Sequence, residues 1–171
     1  MRRGRGAGDA LLAGLLVLAA ALLPAVAVGH DGVARALIER SDGVQLWFDV
    51  ELALSAPSRR RGLMGRARLA PRLGMWFDFG RASPVTMWMK NTPLPLDMLF
   101  VRADGRIVAV HARAEPYSLD TIAAPEPVTC VLELAGGTAA QLGIARGDRA
   151  LLVGSGGAGA QRVDRRTETV E

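Results

Sequence analysis

Apolar and polar positions alternate over short runs in this chain, and few stretches carry a helical spacing. Within 44–54 the alternation is regular. Phe48, Val50, Leu52 and Leu54 fall on one side and Trp47, Asp49, Glu51 and Ala53 on the other, which predicts a half-buried strand. Further strands are predicted at 74–79, 85–89, 96–102, 107–113, 128–134 and 149–153, and an edge strand ends the segment 28–38. Ser41-Asp42-Gly43, Asp104-Gly105 and Gly147-Asp148 supply turn chemistry between them. Ser55 caps a short helix over 58–64 that stops at Gly65, and a second short helix spans 138–142. The stretch 115–127, punctuated by Pro116, Pro125 and Pro127, is an irregular excursion. Together these elements predict a mainly β fold: a single compact antiparallel β-sandwich or barrel with one or two short edge helices. The β domain is assigned to 44–153, behind an N-terminal segment 28–43 and ahead of a polar, glycine-rich tail at 154–171 expected to be disordered.

The first residues have a different pattern. Arg2, Arg3 and Arg5 precede an apolar run over 11–23, and Pro24 then precedes Ala25-Val26-Ala27, a small-x-small cleavage pattern. This predicts a signal peptide over 1–27 and a periplasmic or secreted protein. The alternative is an uncleaved anchor holding the domain to the inner membrane on its periplasmic side. The formal net charge is +4, and cutting after Ala27 removes three arginines and Asp9, leaving a nearly neutral chain. Nucleic acid is therefore not expected as a partner, and contact with a membrane is expected only through an uncleaved N-terminus. Cys130 is the single cysteine, so no internal disulfide can form, and its place in an apolar strand makes it a buried structural thiol. His111 is likewise a lone histidine on an apolar strand and is expected to be structural.

Candidate chemistry gathers at Thr86-Met-Trp-Met-Lys-Asn-Thr-Pro-Leu-Pro-Leu-Asp-Met-Leu-Phe-Val101. Pairing 85–89 with 96–101 as a hairpin, Met89 opposite Leu96, puts Val85, Met87, Met89, Leu96, Met98 and Phe100 on one face. Trp88, Lys90 and Asp97 then share the other face, beside Asn91. Trp88, Lys90, Asn91 and Asp97 are thus the candidate ligand-binding residues, with Trp88 as an apolar wall and Lys90 meeting an anionic group. Lys90 is the only lysine among 21 basic residues. The structural alternative is an ion pair, or Asp97 bonding loop amides. Arg59-Arg60-Arg61 forms a solvated face, with an anion-binding role as the sharper alternative.

Several motifs carry a family resemblance: Gly62-Leu-Met64, Gly74-Met75 with Phe77, Met87-Trp-Met-Lys-Asn-Thr92, Pro95-Leu-Asp-Met-Leu-Phe100, Leu132-Glu-Leu134, Gly136-Gly137, Leu142-Gly-Ile144 and Gly147-Asp148. Over about 44–153 the chain resembles the domain of unknown function 192 family. Trp76 departs from the aliphatic residue more usual there. The resemblance implies a compact, mainly β, often exported domain and no established activity.

Three functions remain open at this level. The chain is an exported small-ligand-binding or accessory module, its partner an unknown small molecule or a cell-envelope protein. Alternatively, it is an enzyme using Lys90 or Asp97 as acid or base, although no paired carboxylates or nucleophile–base set accompanies them and no catalytic residue is assigned. As a third alternative it handles copper through Met64, Met75, Met87, Met89 and Met98, or through Val28-Gly29-His30 if cleavage exposes that terminus. No cofactor or resident metal is expected.

Overall fold

The computed structural model describes residues 31–154. The predicted signal peptide and its cleavage point, the Val28-Gly29-His30 terminus and all but the first residue of the predicted tail lie outside the described residues. The strands are β1 (Val33–Glu39), β2 (Gln45–Ala53), β3 (Leu73–Ser83), β4 (Thr86–Met87), β5 (Leu96–Val101), β6 (Ile107–Ala114), β7 (Ile122–Ala123), β8 (Val128–Ala135) and β9 (Arg149–Val153). Two short helices, α1 (Ala56–Arg61) and α2 (Thr138–Leu142), complete the described elements. Seven strands form one sheet in the order β6-β5-β8-β3-β2-β1-β9, while β4 and β7 pair separately.

The mainly β architecture follows the alternation in the sequence, but three features differ from the expectation. The large sheet is mixed, because β2 and β3 run parallel, Asp49 beside Leu73 through Ala53 beside Phe77. The chain between them contains α1 and crosses over, as a parallel pair requires. Second, the sheet is not closed into a barrel. Its edges β6 and β9 meet only at their ends, through the bridge Arg106–Arg149 and bonds such as Ile107 N–H to Asp148 O (2.8 Å). Third, β1 lies inside the sheet, between β2 and β9, and is not an edge.

Each face of the sheet has its own core. One gathers Phe48, Val50 and Leu52 of β2, Trp76 of β3, Leu99 and Val101 of β5, and Leu132 and Leu134 of β8, with Ala139 of α2. The other gathers Met75 and Phe77 of β3, Leu96, Met98 and Phe100 of β5, and Val131 of β8. It is covered by Leu63 after α1 and by Val85, Met89 and Leu94 of the segment around β4. A strand with both faces buried loses the polar–apolar alternation of a surface strand, which is why β5 is apolar almost throughout.

The central hairpin does not form. β5 pairs with β6 and β8, and β4 pairs with β7. The proline-rich turn after Lys90 turns the chain through a covering layer above the sheet. The division of faces survives this correction, since Leu96, Met98 and Phe100 do share one face with Val85 and Met89.

Candidate functional site

The site is built where α1 and the β4 turn cover the methionine-rich face. Helix α1 begins two residues earlier than expected and ends at Arg61, short of Gly65. Ser55 caps it and forms a reciprocal capping box with Ser58: Ser58 N–H donates to Ser55 Oγ (3.3 Å), and Ser55 N–H to Ser58 Oγ (3.1 Å). Asp31 clamps the same end by accepting from Leu54 N–H (2.6 Å), Ser55 N–H (2.7 Å) and the Ser58 hydroxyl. The Ser58 hydroxyl and these amides hold its carboxyl down at about 2. Gly62 then ends the helix at φ 47°, with a Cβ built there only 3.1 Å from the Phe77 ring. This lets α1 close down on β3 with Arg59, Arg60 and Arg61 at the edge of the cover.

The β4 turn is held from both sides. Gly65 N–H donates to Asn91 O (2.8 Å), Met89 N–H to Ser118 O (3.1 Å), Tyr117 N–H to Thr92 O (3.1 Å) and Ala124 N–H to Val85 O (3.0 Å). The Thr92 hydroxyl donates to Lys90 O (3.2 Å), and Asn91 adopts the left-handed conformation at φ 56°. Asn91 thereby shapes the turn.

Between these covers lies a cavity of about 470 Å³. Leu63, Met64, Phe77, Phe79, Met87 and Trp88 supply its apolar walls, and Arg59, Arg60, Arg61 and Lys90 its cations. Lys90 Nζ lies 5.2 Å from the centroid of the Trp88 ring, and Trp88 is half exposed. Arg59 is committed to structure, donating to Leu54 O and to Asp78 O (2.6 Å) with its guanidinium 5.4 Å over Phe79. Arg60 and Arg61 are exposed.

Among the described residues, Glu133 of β8 is the single acid lining this cavity. Its neighbours across the sheet are Met75 on β3 and Met98 on β5, so it enters an apolar face. The residue is 3 % exposed, and no hydrogen bond or ion pair joins its carboxyl to another described residue. Every fully enclosed polar side-chain atom among the described residues has a partner, so the carboxyl oxygens open onto the cavity. Burial pushes Glu133 up to about 8, leaving mostly the neutral acid at neutral pH. Gly74 of β3 lets β3 and β8 pair closely on the other face, since a Cβ there would stand 2.7 Å from the Glu133 carbonyl oxygen and 2.9 Å from the Leu134 side chain.

Trp88 and Lys90 therefore meet as the sequence suggests, and Asn91 positions the turn that bears them. Asp97 does not join them. It lies on the opposite face of the sheet, fully buried, accepting from Arg113 N–H (2.8 Å), Gly137 N–H (2.9 Å) and Ala139 N–H (2.7 Å). Those bonds anchor the start of α2 and the end of β6. Met75, Met89 and Met98 are buried in the core, and only Met64 and Met87 reach the cavity. Among the described residues no three His, Cys, Asp or Glu side chains converge as a metal site. His111 is exposed on β6, so packing does not explain it. Cys130 is partly buried, and desolvation pushes its thiol up to about 11, the unreactive form.

The comparisons agree with this fold. The model of the DUF192 family, described as "Uncharacterized ACR", matches residues 37–152. The chain belongs to the DUF192 family. A crystal structure from Sinorhizobium meliloti 1021, titled as a "putative transcription regulator", is 46% identical with a TM-score of 0.71. That likeness covers 73% of this chain and 96% of the other. A protein of unknown function from Novosphingobium aromaticivorans DSM 12444 is 36% identical with a TM-score of 0.67, covering 69% of this chain and 84% of its own. No curated protein matches. The motifs quoted above include Gly62, the Trp88–Lys90 turn and Glu133, which lie at the cavity.

Proposed function

We propose that this DUF192 chain is an exported binding module whose small ligand occupies the cavity between α1 and the Lys90 turn. One observation carries the reading: a buried carboxyl, Glu133, opens onto the cavity with no hydrogen-bond or ion-pair partner among the described residues. Burying a polar group without a partner costs stability, and such a group commonly serves a ligand. The cavity volume lies within the usual range for small-molecule sites, and an apolar lining with a few polar groups is their usual composition. Export is supported by the pattern of residues 1–27.

A thermal-shift screen against metals, nucleotides, sugars and cell-envelope metabolites tests it. The expected result is a compound that raises Tm in the wild type and loses that effect in Lys90→Met, by the ordinary linkage of binding to stability. A screen without a hit, or a hit indifferent to Lys90→Met and Glu133→Leu alike, contradicts the reading. The second reading, an enzyme, shifts its acid–base group from Asp97 to Glu133, because a carboxyl titrating near neutrality inside a cavity suits proton transfer. Turnover of a bound compound that Glu133→Gln abolishes without weakening binding would favour that second reading.

A further inference from the structure

The chemistry of the ligand follows from how the lining is divided, and this inference rests on the binding reading above. We propose that the cavity takes a small organic anion with an apolar body, its charged group at Lys90 and the α1 arginines and a neutral hydrogen-bond acceptor at Glu133. Among the described residues four cations line the cavity against one acid, so an anion gains where a cation is repelled. Arg59 is held by two carbonyls, which leaves Lys90, Arg60 and Arg61 at the exposed side to receive the charge. Phe77, Met87 and Trp88 line the space in which the body would sit.

Glu133 decides the other end of the ligand. As a neutral acid it offers an O–H donor, suited to a carbonyl, amide or hydroxyl oxygen. The charged groups lining the cavity with it are Arg59, Arg60 and Arg61 from α1 and Lys90 from the turn. β3 and β5 place only Met75 and Met98 beside it, and Asp97 lies on the opposite face. Desolvation alone raises Glu133 to about 8, so the donor is present at neutral pH and lost as pH rises through that value. Above it, a second anion would face the ligand, and affinity should fall.

Four probes of one length separate the possibilities: adipamate (an anion with an amide end), caproate, ε-aminocaproate and hexylamine. Calorimetry and the NMR shift of the Trp88 indole are read on the wild type, Lys90→Met and Glu133→Gln. Adipamate is expected to bind best and hexylamine not at all, with a loss of about tenfold for adipamate in Lys90→Met. Glu133→Gln, which keeps a donor, should bind adipamate within about threefold of wild type near pH 7. Wild-type affinity should fall by about tenfold from pH 7 to pH 9.5 while the Gln variant stays flat. Tighter binding of ε-aminocaproate or hexylamine, lost in Glu133→Gln, overturns the proposal and leaves the binding reading intact. So does failure of every probe at millimolar concentration when the broader screen yields a different ligand. Failure of both the probes and the screen overturns both.

Discussion

Asp97 and Glu133 are two buried carboxyls on neighbouring strands, and they differ in everything but burial. Asp97 stands opposite Leu134 and Glu133 opposite Met98, one step apart in the β5–β8 register, on opposite faces of the sheet. Asp97 meets three backbone amides and closes off its own hydrogen-bonding needs. Glu133 meets two methionines and a cavity. Asp148 belongs with Asp97, buried and accepting from Ser41 N–H and Ala145 N–H at 2.9 Å each. Carboxylates that clasp amides pin loops to the sheet. A carboxyl that clasps nothing costs the fold stability, and in a cavity it is free to meet a ligand.

The largest expected effect comes from removing the clasp. Asp97→Ala strands three amide donors at the α2 end of the sheet, and urea unfolding should show a loss of roughly 3–5 kcal/mol. A loss below about 1 kcal/mol would place Asp97 among dispensable residues and end the contrast with Glu133.

Removing Glu133 should act in the opposite direction and depend on pH. An unfolded glutamate titrates near 4.5, and burial holds Glu133 near 8 in the folded chain. Between those values the folded chain binds more protons than the unfolded one, so its contribution to stability falls as pH rises and levels off above about 8. At about 1.4 kcal/mol per unit the accumulated penalty reaches up to roughly 5 kcal/mol, of which a few should be measurable after relaxation. Glu133→Leu should therefore stabilise the protein by about 2–4 kcal/mol at pH 9 and abolish ligand-induced stabilisation.

The cavity's exposed side should respond in binding and hardly in stability. Lys90→Met should weaken an anionic ligand by about tenfold in calorimetry while changing unfolding free energy by no more than about 0.5 kcal/mol. Trp88→Ala is the smallest of the set, about 0.5–1 kcal/mol in affinity from lost apolar and cation–π contact. If both variants instead unfold the domain, the turn is a core element and the two-region contrast fails.

The fold was legible wherever alternation was clean, as at Phe48, Val50 and Leu52, and where turn residues such as Asp104-Gly105 bracket a strand. Pairing was less legible, because β5 is apolar on both faces and neighbours in sequence need not be neighbours in the sheet. The turn Lys90-Asn-Thr-Pro looks like a hairpin loop locally, yet Val85 and Met89 find burial against the sheet face, and β4 takes β7 as its partner. That one topological step separates Asp97 from Trp88 and Lys90. Half of the candidate site, Trp88 and Lys90, was visible as an unusual lysine beside an aromatic residue. Glu133 was visible only as a lone charge in Val-Thr-Cys-Val-Leu-Glu-Leu, which says it is buried without saying what it faces. Neither the parallel β2–β3 pair nor the β3–β8 pair that sets Met75 beside Glu133 leaves a local mark.

The most direct measurement is denaturant unfolding of the wild type and Glu133→Gln from pH 5 to pH 9. The two curves should converge near pH 5 and separate as pH rises, the variant becoming the more stable by a few kcal/mol. Parallel curves, or a variant less stable at every pH as expected for a residue like Asp97, would contradict the assignment of Glu133 to the ligand side.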